Sequence, residues 1–241
     1  MSGILNGKKI VVMGVANRRS IAWGCASALM KQGAKVIYTY RNARSKKHLA
    51  RLVGDDQPMI PCDVSTDENI KRAFQTIGQK FGQIDGVIHA IAYADRQTLT
   101  SKVLDVKRAG YNLAQDISAY SFIAVSHYAS QIMNPGGSVL AMTYMGATRA
   151  IPNYNMMGIA KAALEASIRY LARDLGPKEI RANAISAGAV KTLSVTGIKH
   201  HRDLLKESEA RTVDGKSVTI QQIGNTAAFL MSNLSSGLTG D

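Results

Sequence analysis

Short apolar, β-branched runs that alternate with amphipathic stretches constrain this chain more than anything else in it. The runs occupy residues 8–13 (K-K-I-V-V-M), 35–40 (K-V-I-Y-T-Y), 58–64 (P-M-I-P-C-D-V), 84–94 (I-D-G-V-I-H-A-I-A-Y-A), 138–144 (S-V-L-A-M-T-Y) and the start of 180–192. Continuous apolar runs of this length are the pattern of parallel strands buried on both faces. Helical periodicity fills the intervals: 20 to 33, 67–82, 111–133, from Asn155 to about Leu175, and 220–232. Residues 95–110 read as polar and irregular, and Pro135-Gly136-Gly137 as a turn. Strands alternating with helices predict an α/β chain, a doubly wound Rossmann-type parallel sheet with helices on both faces. With 241 residues and neither internal repeat nor linker, one domain over 1–241 is expected, carrying a helical lid at about 193–215.

Several function classes drop out on composition. No apolar run reaches the roughly 18 residues of a membrane span. The N-terminus, M-S-G-I-L-N-G-K-K, has no signal-peptide apolar region. Cys25 and Cys62 lack metal-ligand spacing, so they read as reduced structural residues of a cytoplasmic protein, and no metal site is expected. The net charge of +13 is the unusual quantity. The basic residues are scattered and no nucleic-acid-binding signature is present, so attraction to a phosphate-bearing cofactor and an acidic carrier fits better than nucleic acid.

The first strand runs into Gly14, and a helix opens at Ser20. Strand, glycine turn and helix N-terminus together present backbone N–H groups to a pyrophosphate, although a plain strand-to-helix turn has the same outline. The second strand ends in R-N-A-R-S-K-K. An acid at this point would bind a ribose 2′-hydroxyl, whereas arginine accommodates a 2′-phosphate. Arg41, Arg44, Lys46 and Lys47 therefore favour NADPH over NADH, the alternative being the solvated start of a basic helix. Asp63, with the Val64 backbone beside it, closes the third strand where a carboxylate can accept from an adenine amino group. Ala90 and Ala92 leave room for a cofactor, and His89 reads as a core histidine.

Residues 143–161 carry the candidate chemistry. Tyr154 and Lys161 are seven residues apart, about two helical turns, and so share a helix face. An ammonium nearby favours the phenolate form of a tyrosine, and such a pair can receive a developing oxyanion. The alternative is a packed tyrosine and a surface lysine.

The motifs together resemble the divergent short-chain dehydrogenase/reductases, specifically the bacterial enoyl-acyl-carrier-protein reductases of type II fatty-acid synthesis, over essentially the whole chain. Gly14, Ser20, Ala22 and Ala26 fit G-x5-S-x-A-x3-A. Tyr154, Met157 and Lys161 fit Y-x-x-M-x-x-x-K. A-I-P-N-Y-N-M-M-G (150–158), D-I-S-A-Y-S (116–121), R-A-N-A-I-S-A-G (181–188) and L-S-S-G-L-T-G (234–240) add to the likeness. The resemblance implies hydride transfer from NADPH, or NADH, to a trans-2-enoyl thioester on acyl carrier protein, in a cytoplasmic homotetramer. It implies that Tyr154 hydrogen-bonds the thioester carbonyl, that Tyr144 is a second active-site tyrosine, and that Lys161 grips the nicotinamide ribose. Gly14, Ser20, Ile21, Arg41, Asp63, Val64, Ile91, Val190 and Thr192 are placed around the dinucleotide, and Ala94 and Met157 beside the substrate. Arg41, Arg44 and Ser45 resemble the NADPH-preferring members. Lys199, Arg202 and Lys206 of the lid become candidates for contacting the carrier, with a solvated helix face as the alternative. Three departures are visible. Ala189 stands where the family has proline, which loosens the loop. His201 stands where an aromatic residue is usual. The family also continues past T-G-D/E, so a further C-terminal strand is expected beyond Asp241. A carbonyl reductase of the same superfamily and a non-catalytic NADP(H) sensor are the rival readings.

Overall fold

The structure, a computed structural model, describes residues 3–190, 192 and 208–241. Six strands, β1 (Lys9–Met13), β2 (Lys35–Tyr40), β3 (Met59–Pro61), β4 (Ile84–His89), β5 (Met133–Thr143) and β6 (Arg181–Ser186), form one sheet in the order β3-β2-β1-β4-β5-β6. Every pairing is parallel. The direction of strand order reverses between β1 and β4, which opens a crevice at the carboxyl ends of the strands.

Alternate residues of each strand feed two separate cores. Val11 and Met13 of β1 face one way, onto helices α3 (Asp67–Phe81), α6 (Ser121–Ala129) and α7 (Asn155–Leu175). Ile10 and Val12 face the other, onto α1 (Ile21–Lys31), α2 (Ala43–Val53) and α8 (Ile220–Met231). The period of two thus sets which layer each strand residue supports. Two shorter helices, α4 (Arg96–Thr100) and α5 (Arg108–Gln115), lie between β4 and α6.

The predicted boundaries of β1, β2 and α7 agree closely with the structure, and several others do not. The run 58–64 yields a strand of only three residues, because Asp63 and Val64 lie beyond the last pairing with β2, Tyr40 against Pro61. The run 84–94 ends as a strand at His89, and 90–94 leave the sheet as a loop. Residues 95–110, expected to be irregular, contain α4 and the start of α5. The single helix expected over 111–133 is α5 and α6 with a π turn, Asp116–Tyr120, between them. Pro135-Gly136-Gly137 lies within β5, where the pairing with β4 jumps from Ile84–Met133 to Gly86–Ser138. The predicted lid falls outside the described residues over 193–207, including Lys199, His201, Arg202 and Lys206.

Candidate active site

Gly14 leaves β1 at φ +92°, and a Cβ there would sit 2.2 Å from the Ala90 carbonyl oxygen. Glycine alone permits this turn and this approach, so β1 passes directly beneath the loop that follows β4. Ser20 caps α1, its hydroxyl accepting from Trp23 N, and no acidic residue enters the first turn of that helix. The helix N-terminus therefore keeps its positive potential toward the crevice.

The crevice holds a cleft of about 760 Å³. Its walls include Gly14, Ser20, Ile21, Arg41, Ser45 and Asp63 from the β1–β3 side. Val64, Ile91, Val190 and Thr192 continue them toward α7, where Tyr144, Tyr154, Met157 and Lys161 complete the lining. All of these were expected from the sequence. Two other expected residues, Arg44 and Ala94, are not among the lining residues. Arg44 lies in the first turn of α2 with its side chain exposed, while Ala94 lies half-buried in the loop after β4. Ser45 lines the cleft, but its hydroxyl is already engaged in a capping box. It donates to the Asn42 carbonyl at 2.8 Å and accepts from Asn42 N at 2.9 Å.

At the far end the two tyrosines meet edge to face, with ring centroids 5.0 Å apart. Gly146 makes the contact possible, since a Cβ there would lie 2.5 Å from a Tyr154 ring carbon. Lys161 is 6% exposed and donates from Nζ to the Met142 carbonyl at 2.7 Å. Burial lowers its proton affinity to a pKa of about 8, against which the Glu165 carboxylate acts to raise it.

One sequence-based expectation is corrected here. An ammonium two turns away was expected to favour the Tyr154 phenolate. Burial, with Tyr144 beside it, instead raises the Tyr154 pKa well above the usual tyrosine range. Desolvation dominates although the residue is half-buried, because Tyr144 and the surrounding cleft wall shield the phenol, and Lys161 directs its ammonium to Met142. Tyr154 is thus a protonated hydrogen-bond donor throughout the neutral range.

The π turn supplies what the sequence left unread. Ser118 accepts from Tyr93 N and donates to Tyr93 O, both at 2.9 Å, pinning the loop after β4. Ser121 donates to the Ile117 carbonyl and contacts His89 Nε2, both at 2.8 Å. His89 is fully buried against Phe122, and burial together with the Lys161 charge drives its pKa down to about 3. It stays neutral and structural, in agreement with the sequence. The D-I-S-A-Y-S segment is therefore a clamp on the end of β4. Tyr93, Leu99, Leu113 and Ile117 join the cleft wall through the same region. The sequence marked none of them as site residues: Ile117 lies in the π turn, which has no hydrophobic period of its own, and Tyr93, Leu99 and Leu113 come from the loop, α4 and α5 that it holds near the cleft.

Burial raises both thiols, Cys25 and Cys62, to pKa values of about 12, as suits inert structural residues. Among the described residues there is no cluster of metal-ligating side chains and no helix long and apolar enough to cross a membrane.

A family described as "Enoyl-(Acyl carrier protein) reductase" matches residues 14–241. The chain belongs to the enoyl-acyl-carrier-protein reductase family. The FabI enoyl-acyl-carrier-protein reductase [NADH] of Enterococcus faecalis is 54% identical over 237 residues, covering 98% of this chain and 95% of that protein. The [NADPH] enzyme of Staphylococcus aureus is 47% identical over 98% of this chain and 94% of its own length. The crystal structure of the Bacillus cereus reductase with NADP+ and indole naphthyridinone superposes with a TM-score of 0.95 at 47% identity, covering 99% of this chain and 94% of that one. Relatives in this family are thus named with either nicotinamide dinucleotide. The cleft of this reductase-family chain has features suited to such a cofactor: the glycine turn under the β4 loop, the uncompensated N-terminus of α1, Asp63 after β3, and the buried Lys161.

Proposed function

We infer that the chain reduces the trans-2 double bond of enoyl thioesters carried on acyl carrier protein, with NADPH preferred and NADH possible. The observation that carries this reading is the convergence of Tyr144, Tyr154 and Lys161 on one cleft whose other end is the Gly14 turn and Arg41. A bound reduced nicotinamide supplies hydride. The residues of the chain then have separable tasks. Lys161 would hold the nicotinamide ribose with its ammonium, and Gly14, Ser20, Ile21, Asp63, Val64, Ile91, Val190 and Thr192, which line the cleft, would surround the dinucleotide. Hydride arrival at the β-carbon shifts an electron pair through the conjugated system to the thioester oxygen. The Tyr154 hydroxyl, protonated and half-buried on the cleft wall, donates to that oxygen as its charge grows. A preorganised donor in a water-poor site is worth more at that moment than in the ground state. Protonation at the α-carbon completes the reduction. Tyr144 packs beside the acyl group and fixes the Tyr154 ring; Met157 lines the same side.

The NADPH preference is supported by Arg41 standing on the cleft wall at the end of β2, where an acid would select the 2′-hydroxyl. The net charge of +13 supports an acidic carrier as partner. Leu104, 94% exposed, is a large apolar residue left for a partner surface and is compatible with self-association, the homotetramer being what the family resemblance implies. The test is oxidation of NADPH and of NADH followed at the nicotinamide absorbance with crotonyl-CoA or an enoyl carrier-protein substrate. Turnover with either dinucleotide is expected, faster at low concentration with NADPH. Absence of turnover with both would overturn the reading.

A further inference from the structure

Two successive residues at the end of β5 hold two successive turns of α7. The Met142 carbonyl accepts from Lys161 Nζ at 2.7 Å. The next residue, Thr143, donates its hydroxyl to Glu165 Oε1, also at 2.7 Å. Lys161 and Glu165 are four residues apart on α7, so both rise on one face. Thr143 is itself buried at 6% exposure, whereas Glu165 is half-buried and had a path to solvent. A buried hydroxyl holds it inward instead. That donor is neutral and does not cancel the carboxylate's field, which reaches Lys161 from one helical turn away and acts to raise its pKa.

Among the described residues, Glu165 is the charged group that acts to raise the Lys161 pKa. His89 at the end of β4 is neutral. The Tyr154 phenol at the start of α7 stays protonated, with the Tyr144 ring from the end of β5 against it. From the π turn, Tyr120 donates to Asp67 Oδ2 at 2.9 Å, which raises its pKa, and desolvation with the Asp67 charge raises that of Asp116. A cation as deeply buried as Lys161 loses its proton readily without a counter-charge.

We propose that Glu165, held by Thr143, is a positioning residue that keeps Lys161 protonated on the cleft wall. The proposal rests on the reading of Lys161 as the cation that grips the cofactor.

The experiment labels the lysine ε-carbons with 13C in the cofactor-free protein and follows them by NMR from about pH 6 to 11, a range that spans the ordinary lysine pKa. The Lys161 signal is identified by its loss in Lys161→Arg. Glu165→Gln should lower the Lys161 midpoint by about one pH unit, a roughly tenfold easier loss of the proton. Thr143→Val, which frees the carboxylate to turn outward, should move it in the same direction by less. Glu165→Asp should restore part of the shift. The alkaline limb of NADPH binding, read by fluorescence, should move with the NMR midpoint. An unchanged midpoint in folded Glu165→Gln overturns the proposal. So does an unchanged midpoint in Thr143→Val if the glutamine variant does not fold. Loss of enoyl reduction by the wild type at every pH, with the NMR shift intact, would count against the proposed function and leave the Glu165–Lys161 coupling standing. An unmoved midpoint with vigorous turnover would do the reverse.

Discussion

The two ends of the cleft are built on opposite plans. At the β2–β3 end, Arg41 is exposed and Ser45 is tied into the capping box of α2. At the α7 end, Lys161 is buried and Tyr154 half-buried, and desolvation moves both proton affinities away from their ordinary values, down for the lysine and up for the phenol. Solvated groups make contacts that salt screens and that differ modestly between ligands. Enclosed groups make contacts whose loss leaves a desolvated partner behind, at a much higher cost. Selectivity between dinucleotides should therefore be set at the open end and be easy to shift. Turnover should be set at the closed end and be hard to restore.

The largest departure is expected at the closed end. Lys161→Ala should abolish measurable cofactor binding and lower kcat/KM by on the order of a thousandfold. Calorimetric titration of the dinucleotide alongside steady-state rates checks this, and wild-type affinity in the variant would break the contrast between the two ends. Next comes Tyr154→Phe, which removes the donor and leaves the ring packed on Tyr144. It should cut kcat by roughly a hundredfold while the cofactor Kd stays within about twofold. Equal losses in rate and affinity would show that the phenol serves binding and not the developing oxyanion.

At the open end, Arg41→Ala should weaken NADPH by about tenfold and NADH hardly at all, a difference that salt should shrink. Equal effects on both dinucleotides would remove the 2′-phosphate reading. The smallest effect is expected from Asn42→Ala, which deletes the α2 cap that accepts from Ser45 N at 3.0 Å. It should cost about 1 kcal/mol of stability, visible as a small drop in Tm, with cofactor affinities nearly unchanged.

The pH dependence separates the ends as well. The Lys161 pKa is depressed on folding from 10.5 to about 8. Between those values the unfolded chain binds the extra proton, so this group makes the cofactor-free protein more stable as pH rises through that window. Cofactor binding should decline over the same interval, because the ammonium is being lost. Thermal denaturation of the free protein and dinucleotide titration across that range should give slopes of opposite sign.

How much of this was legible beforehand follows the same division. Strands β1 and β2 and helix α7 could be bounded from the sequence, since buried parallel strands write continuous apolar runs and α7 has an uninterrupted period. The third and fourth strands were overrun, because apolar residues continue past the last ladder bond into the loops that line the cleft. Arg44, expected at the site, lies exposed in the first turn of α2 and is not among the residues that line the cleft. The protonation of Tyr154 was misjudged, since desolvation depends on what encloses a ring and not on its spacing from a lysine. Glu165 carried no signal at all until Thr143 was seen to hold it.

The π turn at Asp116–Tyr120 amounts to one surplus residue in an otherwise regular helix. Deleting a single residue there would give back ordinary i→i+4 bonding and would look like a local repair. It would also rotate everything on one side of the cut by about 100° relative to the other. Ser118 and Ser121 could then no longer reach Tyr93 and His89 together, and the floor of the cleft would lose its anchor. A helix made more regular at this place would yield a poorer catalyst.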